Sequence, residues 1–596
     1  MNMKNTLKYI ILSVVVLLGT ASCKDFLNRP SEDTPSSDGF YQNASQCVQG
    51  VNYLYNSPWA DVIRGFYWIG ECFSGNYYKG DNNPYVMFTL NGGESDLAKM
   101  SASLWSVNAH TSVVYYRIKE ADVDEATKNM CMGEALTWKA MAYFFLARTF
   151  GDVPIIHDVS SEIAAKQYTS YFKAPKAQVY EYTAMLLEHA MTLLPKKVAN
   201  MDGRIDYYSA EALLAKVYLQ KAGVSGTLNQ ADLDKAASLA KDVIENSGRT
   251  LMENYSDIFR LQNNKNIEAL ISWHWYPTGE PWTAQNMFQS DLAPKGFDEF
   301  GDNWGGWNGP SVALQDLFGV SALDAPGDRL AEQDTRRKAT MMLPGDTYDY
   351  FWTTNGGFDY LRFFYDENYG PSGNPNASDK SLNSPTGAGC VKFLYGDGND
   401  HMAALGMSAG RMVSGLSTHV LRMADLYLIY CEAKLKGPGT STTDAFALQC
   451  FNDVRHRAIP SDMSNVTSIS FEDVFTERNK ELALEGDRWY DFVRVGYYKP
   501  DFVVNYIQAQ RRGYFTGKYN TVCKNYYKSG GKVWSLDYID DDDDKQKTIG
   551  YDGGATLTRN AILNMVEGVP YPSEDVVFNP NLDKDPQEFD LSSITF

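Results

Sequence analysis

The sequence lacks the signatures on which most hydrolase, nucleotide-dependent and metal-dependent chemistry rests. Its seven histidines include no H-E-x-x-H pair, and no G-x-x-x-x-G-K-[ST] phosphate loop is present. Cysteine is scarce: the chain has eight, and none forms a C-x-x-C pair. That signals neither a cysteine zinc site nor a disulfide framework, so most of Cys47, Cys72, Cys131, Cys390, Cys431, Cys450 and Cys523 are expected to be small buried apolar residues. Basic residues are also in deficit, 54 Lys and Arg against 74 Asp and Glu, for a formal charge of −20. This balance argues against nucleic acid or an anionic lipid surface as partner and disfavours polyanionic ligands. Beyond the N-terminus no apolar run is long enough to cross a bilayer.

What the chain does have begins with an export signal. Lys4 and Lys8 precede an apolar run from Tyr9 to Leu18, and the small residues Gly19-Thr20-Ala21-Ser22 lead directly to Cys23. This arrangement is similar to a bacterial lipoprotein cleavage site, with Thr20 where such sites usually carry Leu. Residues 1–22 are therefore expected to be removed and Cys23 to become the lipidated first residue. Residues 23–37, polar and containing Pro30 and Pro35, read as a tether. Hydrophobic residues make up 44% of the chain, which is ordinary for a globular body, but aromatics reach 13%, with 39 Tyr and 12 Trp. Tyr and Trp suit half-exposed recognition surfaces as well as cores.

Periodicity divides the remainder. A helix is expected from Gly39 to Tyr55, and the aromatic, Gly-rich stretch from Ser57 to Leu90 reads mainly as loop. Helices follow near Ser103 to Ala121, Asn129 to Phe150, Lys176 to Leu194, Tyr207 to Lys221 and Leu233 to Asn246, with Gly151, Pro195 and Gly223 as stops. Ala140 and Phe144 keep an A-x3-F element, and Ala210, Ala212, Ala215 and Tyr218 supply small-then-large interdigitation. Both features belong to tetratricopeptide-like helix pairs. Between Ser256 and about Ser414 the helical period fades, and Ala269 to Trp275 alternates like a strand. Trp273, Trp275, Trp282, Trp304, Trp307 and Trp352 all fall in this loop-rich region. Helical order returns at Thr418, with helices at Leu421 to Gly437 and Ala445 to Ala458.

The stretch from Phe471 to Gly496 reads as one amphipathic helix. Phe475, Leu482, Trp489 and Val493 share a face, Ser470 with Asp473 resembles a capping box, and Gly496 stands at the C-terminal end. Arg478 and Glu481, Glu485 and Arg488, and Asp491 and Arg494 sit three apart, the spacing of surface charge pairs. The same residues, with Glu477, Leu482, Ala483, Gly486, Trp489, Phe492 and Val493, resemble the late-chain signature of the SusD/RagB family of outer-membrane nutrient-binding lipoproteins. Further landmarks resemble that family in its order: Lys24-Asp25-Phe26-Leu27, Thr137 to Ile155, Ser209 to Gly223, Gly305 to Pro310 with Leu314, Asp316 and Phe318, Asp334-Thr335-Arg336, and Val569 to Pro572 with Asn579 to Leu582. The resemblance spans essentially the whole mature chain.

It implies a mainly α fold, a tetratricopeptide-like helical-pair scaffold with a large loop-rich insertion carrying short strands. The scaffold would occupy about 38–255 and 415–498, a ligand-binding region about 256–414, and a loop-rich C-terminal segment about 499–596. It further implies a non-enzymatic, cell-surface lipoprotein that captures glycans and delivers them to a SusC-like TonB-dependent transporter. Peptide capture, as in RagB-like members, and a surface glycosidase remain as alternatives. A glycosidase needs only two suitably spaced carboxylates, which 74 acidic residues always offer. Gly406-Met407-Ser408-Ala409-Gly410 satisfies G-x-S-x-G but lies in a Gly-rich connection without the strand and helix that a nucleophile elbow needs. No cofactor is expected; the acidic run Asp540 to Asp544 is the one candidate for calcium, its other reading being a solvated loop. A glycan site needs exposed rings for stacking and polar groups at their edges. Trp282, Asp302, Asn303, Trp304, Trp307 and Asn308 combine these types. On the family analogy Tyr77, Tyr78, Asp81 and Asn82 would face them.

Overall fold

Helices packed pairwise carry the chain from residue 44 to residue 246 and again from 423 to 496, and everything else is laid against them. The computed structural model describes residues 40–158, 169–277, 286–300, 303–370, 382–537, 548–554 and 556–596. The signal peptide, Cys23 and the tether lie outside the described residues, as does Asp540 to Asp544.

The helices that matter here are α1 (Ala44–Asn52), α2 (Val62–Trp68), α3 (Ser95–Glu120), α4 (Glu125–Phe150), α5 (Lys176–Leu193), α6 (Tyr207–Lys221), α7 (Gln230–Asn246), α8 (Phe288–Leu292), α9 (Gly398–Leu405), α10 (Met423–Ala433), α11 (Ala445–Ala458), α12 (Phe471–Leu482) and α13 (Arg488–Gly496). Helix α3 packs on α4, α4 on α5, α5 on α6 and α6 on α7, after which α7 packs on α10 across the inserted region. The mainly α, paired-helix architecture is the expected one. Helix α4 is its axis. Asp124 caps its start through the Thr127 amide at 2.9 Å, and Gly151, at φ 76°, ends it. From Cys131 to Phe150 every residue is buried, as befits a helix enclosed on all sides. Ala210, Ala212 and Ala215 on α6 are fully buried, and their small side chains allow the neighbouring helices to approach closely.

The strands are short, and those that matter here are β1 (Tyr77–Tyr78), β2 (Ala269–Trp273), β3 (Gly309–Pro310), β4 (Thr418–Arg422), β5 (Tyr514–Thr516) and β6 (Gly550–Asp552). They pair antiparallel as β1 with β3, β2 with β4 and β5 with β6. The expected return of helix at Thr418 is thus corrected. Residues 418–422 form a strand against β2, which is buried along nearly its whole length.

Two other expectations are corrected. Residues 57–90 are largely core and partly helical instead of loop. Trp59, Phe66, Tyr67, Trp68, Phe73, Tyr77, Tyr78 and Tyr85 are all buried, and the Trp59 ring lies 5.3 Å from both Trp138 and Trp273. The stretch from Phe471 to Gly496 is two helices, broken at 483–487. The capping box of Ser470 and Asp473 forms at the start of α12. The break is held by Glu71, whose carboxylate accepts the Leu484 amide at 3.0 Å, the Gly486 amide at 2.6 Å and the Asn76 side-chain amide at 2.9 Å. Glu71 lies in a π-helical turn, Ile69–Phe73, directly after α2. A Cβ on Gly70 would stand 1.9 Å from the Gly486 carbonyl oxygen, so this crossing of early and late chain requires glycine. Burial pushes the Glu71 carboxyl up to about 7 against the pull of its N–H donors.

The charges of this stretch are buried instead of lying on the surface; of the three pairs expected from spacing only Asp491–Arg494 forms, and the other partners come from neighbouring elements. Arg478 reaches Asp425 at 2.7 Å and Asp491 at 3.0 Å, and Arg494 reaches Glu432 at 2.7 Å and Asp491 at 2.9 Å. Arg422 bonds Glu268 at 2.7 Å, Glu481 at 2.6 Å and Glu485 at 2.8 Å, and Arg336 bonds Glu477 at 2.6 Å and Glu481 at 3.1 Å. Burial opposes ionisation of Glu481, yet Arg457, Arg422 and Arg336 together hold its carboxyl far below the usual range. Such a network stitches α10, α12 and α13 to the inserted region by geometry that apolar contacts do not specify.

Candidate functional site

All seven cysteines among the described residues are free and buried, as their scatter implied. Among the described residues no group of three or more His, Cys, Asp or Glu is arranged to hold a metal ion. Gly406 ends α9 at φ 65°, so the G-x-S-x-G sequence follows a helix and is no nucleophile elbow.

The tryptophans of the inserted region divide into two sets. Trp273, Trp275 and Trp352 are buried, while Trp304 and Trp307 are 42% and 66% exposed. Trp282 and Asp302 lie outside the described residues. The two exposed indoles are carried on one short turn, Gly305–Trp307, with Trp304 preceding it. That turn is tied to α8 by its backbone, the Trp304 amide donating to the Ser290 carbonyl at 2.9 Å and the Gly305 amide to Ala293 at 2.9 Å. A Cβ on Gly305 would lie 2.3 Å from the Leu292 carbonyl carbon, so the loop can sit this close only with glycine there. Asn303 is buried, contrary to the expected ligand-facing role. Its side chain accepts the Asp298 amide at 3.1 Å and donates to the Asp298 carboxylate at 3.2 Å, so it shapes the loop. Asn308 is half-buried beside Trp307.

Sequence reasoning missed the group that orients Trp304. The indole Nε1 donates to Asp291 Oδ1 on α8 at 2.8 Å, and Asp291 in turn accepts Arg64 Nε and Nη2 from α2, each at 2.7 Å. Asp291 is nearly buried, and the fork is bidentate. Burial works against the Arg64 charge, but the Asp291 carboxylate outweighs it and the guanidinium pKa rises. The indole is thereby held at its N–H edge, which constrains the ring's orientation while the residue stays 42% exposed.

The early segment does meet this loop, through β1 and β3: Tyr77 opposes Pro310 and Tyr78 opposes Gly309. The individual side chains depart from expectation. Tyr77 is buried against Tyr67 and Trp68 at ring distances of 5.7 Å and 5.5 Å, so it supports the strand and offers no face to a ligand. Tyr78 is also buried, its hydroxyl donating to Asp81 at 3.0 Å and its ring 5.9 Å from Tyr514. Burial, reinforced by the Asp81 carboxylate, pushes the Tyr78 phenol up. Asp81 is half-buried and Asn82 exposed, which leaves these two available at the edge. Tyr514 belongs to β5, which pairs antiparallel with β6, where Phe515 opposes the partly exposed Tyr551. The C-terminal segment thus contributes aromatic wall that no local signal announced.

With this geometry in hand, the comparisons with known proteins are decisive for family. A family model described as the SusD family matches residues 263–587. The chain belongs to the SusD family. A second model, described as starch-binding associating with outer membrane, matches residues 107–219. A SusD-like protein of Bacteroides ovatus is 30% identical over 591 residues, covering 97% of each chain. SusD-like protein P25 of Formosa agariphila is 23% identical over 511 residues, covering 82% of this chain and 89% of its own. A solved structure with xylogluco-oligosaccharide shares 26% identity at a TM-score of 0.73, covering 91% of this chain and 99% of its own. A SusD-like carbohydrate binding protein of Bacteroides fragilis shares the fold at a TM-score of 0.65, with 18% identity over 91% of this chain and 99% of its own. In this SusD family member the late signature residues Arg478, Glu481, Glu485, Arg488, Asp491 and Arg494 are buried frame residues.

Proposed function

We propose that this chain is a cell-surface lipoprotein, anchored through Cys23 in the outer membrane, that captures glycans without cleaving them. The captured oligosaccharide is held over the mouth of a SusC-like TonB-dependent transporter and released inward when the pair closes. One observation carries the binding assignment: Trp304 and Trp307 stand 42% and 66% exposed on a loop whose backbone and indole N–H are held from behind. A sugar ring offers a flat C–H face edged by hydroxyls, and a fixed indole meets that face with no ordering cost of its own. By analogy with bases stacked on aromatics, each such ring contributes about 1–3 kcal/mol. Asp81, Asn82 and Asn308 are the polar groups assigned to hydroxyls at the rim, with Trp282 and Asp302 as further ligand contacts. The relative solved with xylogluco-oligosaccharide makes xylogluco-oligosaccharides the first ligands to test. The outer-membrane association in the second family description supports the location.

Calorimetric titration of the mature chain with xylogluco-oligosaccharides, other neutral oligosaccharides and short peptides, with chromatography of the same mixtures, tests the reading. Saturable oligosaccharide binding without products is expected. Binding to peptides alone, or accumulation of shortened saccharides, would overturn it.

A further inference from the structure

A concavity lies in the inserted region. Residues that include Arg260, Gln262, Tyr350, Tyr395, Asp400 and Ala403 line an open pocket of about 240 Å³, and it shares no lining residue with the tryptophan loop. Arg260 is 5% exposed, and its guanidinium stacks 3.9 Å from the Tyr350 ring centroid and 4.9 Å from that of Phe351. Its Nε donates to the Ser256 carbonyl at 3.1 Å, while Nη2 is buried and has no hydrogen-bond partner. Among the other buried arginines, Arg336, Arg422, Arg478 and Arg494 each contact two or more carboxylates, and Arg148, Arg249 and Arg488 each contact one. Arg260 contacts none.

The carboxylates that face it, Asp257 and Asp400, act only through space. Asp400 is fully committed elsewhere: it accepts the Trp352 amide at 2.8 Å, the Thr353 amide at 3.0 Å, the Thr353 hydroxyl at 2.6 Å and the Asp397 amide at 3.0 Å. A buried guanidinium with an unused donor and no anion in contact is costly unless something supplies the anion. Guanidinium geometry matches a planar carboxylate two bonds at a time. The cavity is roomy enough for more than a water molecule, and Tyr350 and Tyr395 give it aromatic walls. The overall charge of −20 is no obstacle at contact, because at physiological salt distant charges are screened beyond about 8 Å.

We propose that this cavity is a second ligand site that takes a carboxylate group on the Arg260 guanidinium. The carboxylate belongs either to a uronic acid sugar or to a small organic acid, and the two sources share the same recognition. Gln289 fastens this site to the first: it accepts the Tyr395 and Gly396 amides at 2.8 Å and 3.1 Å from α8, the helix that also carries Asp291.

The test is calorimetric titration of the mature chain with sodium glucuronate, sodium acetate and glucose. Glucuronate should bind saturably and at least tenfold more tightly than glucose. Acetate equal to glucuronate marks the carboxylate as the whole ligand; weaker acetate shows that the sugar ring adds contacts. Arg260→Met should lose at least tenfold in glucuronate affinity. Ala403→Trp, at an exposed position of α9 on the cavity wall, should do the same with Arg260 intact, which guards against misfolding of the first variant. The Trp304→Ala, Trp307→Ala double variant should bind glucuronate as before, so failure of the tryptophan site and failure of this one are distinguishable. Glucuronate binding no tighter than glucose, or unchanged in either cavity variant, would overturn the proposal.

Discussion

Replacing Asp291 by Ala removes the acceptor of the Trp304 indole and the bidentate partner of Arg64 in a single step, without touching an exposed ring. If Trp304 stacks on a sugar, its contribution is about 1–3 kcal/mol. The most that Asp291→Ala can forfeit through that ring is therefore about 5- to 150-fold in affinity. A freed indole still stacks part of the time, so the expected loss lies in the lower half of that range. Asp291→Asn keeps an acceptor for the indole but gives up the charge-assisted fork to Arg64, so a smaller loss is expected. Arg64 is partly exposed and can turn to water, which should confine the loss of folding stability to about 1–2 kcal/mol. The assay is titration with a bound oligosaccharide, with urea unfolding alongside, completed as a cycle with Trp304→Ala. Asp291 acts through Trp304, so the double variant should bind no more weakly than Trp304→Ala alone. Additive losses, or undiminished affinity in Asp291→Ala beside a clear loss in Trp304→Ala, would refute this reasoning.

Other outcomes follow from the buried charges and from the N-terminus. Glu481→Gln leaves Arg336, Arg422 and Arg457 facing a neutral group, and removal of one partner from a buried ion network costs about 3–5 kcal/mol in urea unfolding at pH 7. Because the folded chain holds Glu481 ionised well below its ordinary 4.5, the unfolded chain takes up the proton first as pH falls. The stabilisation is then complete above about pH 4.5 and drains away below it, so the deficit of Glu481→Gln should shrink in acid; equal stability at pH 7 would contradict the assignment. Cys23→Ala should leave the protein exported but unattached, read as a shift from the membrane fraction to the medium or periplasm.

The helical frame was legible because long runs keep a 3.6-residue period and end in recognisable caps, as at Gly151 and Ser470. The break after Leu482 was not, although Gly486 inside the helical pattern was a signal that could have raised it. What creates the break is Glu71, more than four hundred residues away in sequence, and no local pattern carries that contact. The same holds for charge. Arg478 and Glu481 sit at surface-pair spacing, yet neighbouring helices supply Asp425, Asp491, Arg422 and Arg336, and the pairs that form are tertiary. Among the aromatics, composition announced a recognition surface but could not say which rings pack inward. Trp273 and Trp304 lie in the same inserted region, but Trp273, in a stretch that alternates like a strand, is buried by β2–β4 pairing and by the rings of Trp59, Phe66 and Phe145. Tyr77 and Tyr78 pair with Pro310 and Gly309 just after the tryptophan loop, but the strand that brings them there also buries them.

The most direct test of the account is the affinity of the Trp304→Ala, Trp307→Ala double variant for a xylogluco-oligosaccharide, or for whichever neutral glycan binds the wild-type chain most tightly, measured beside its thermal unfolding. Two exposed indoles stacking on sugar predict a loss of at least tenfold with the unfolding temperature unchanged within a few degrees. Wild-type affinity in that variant would show that these rings are not the platform.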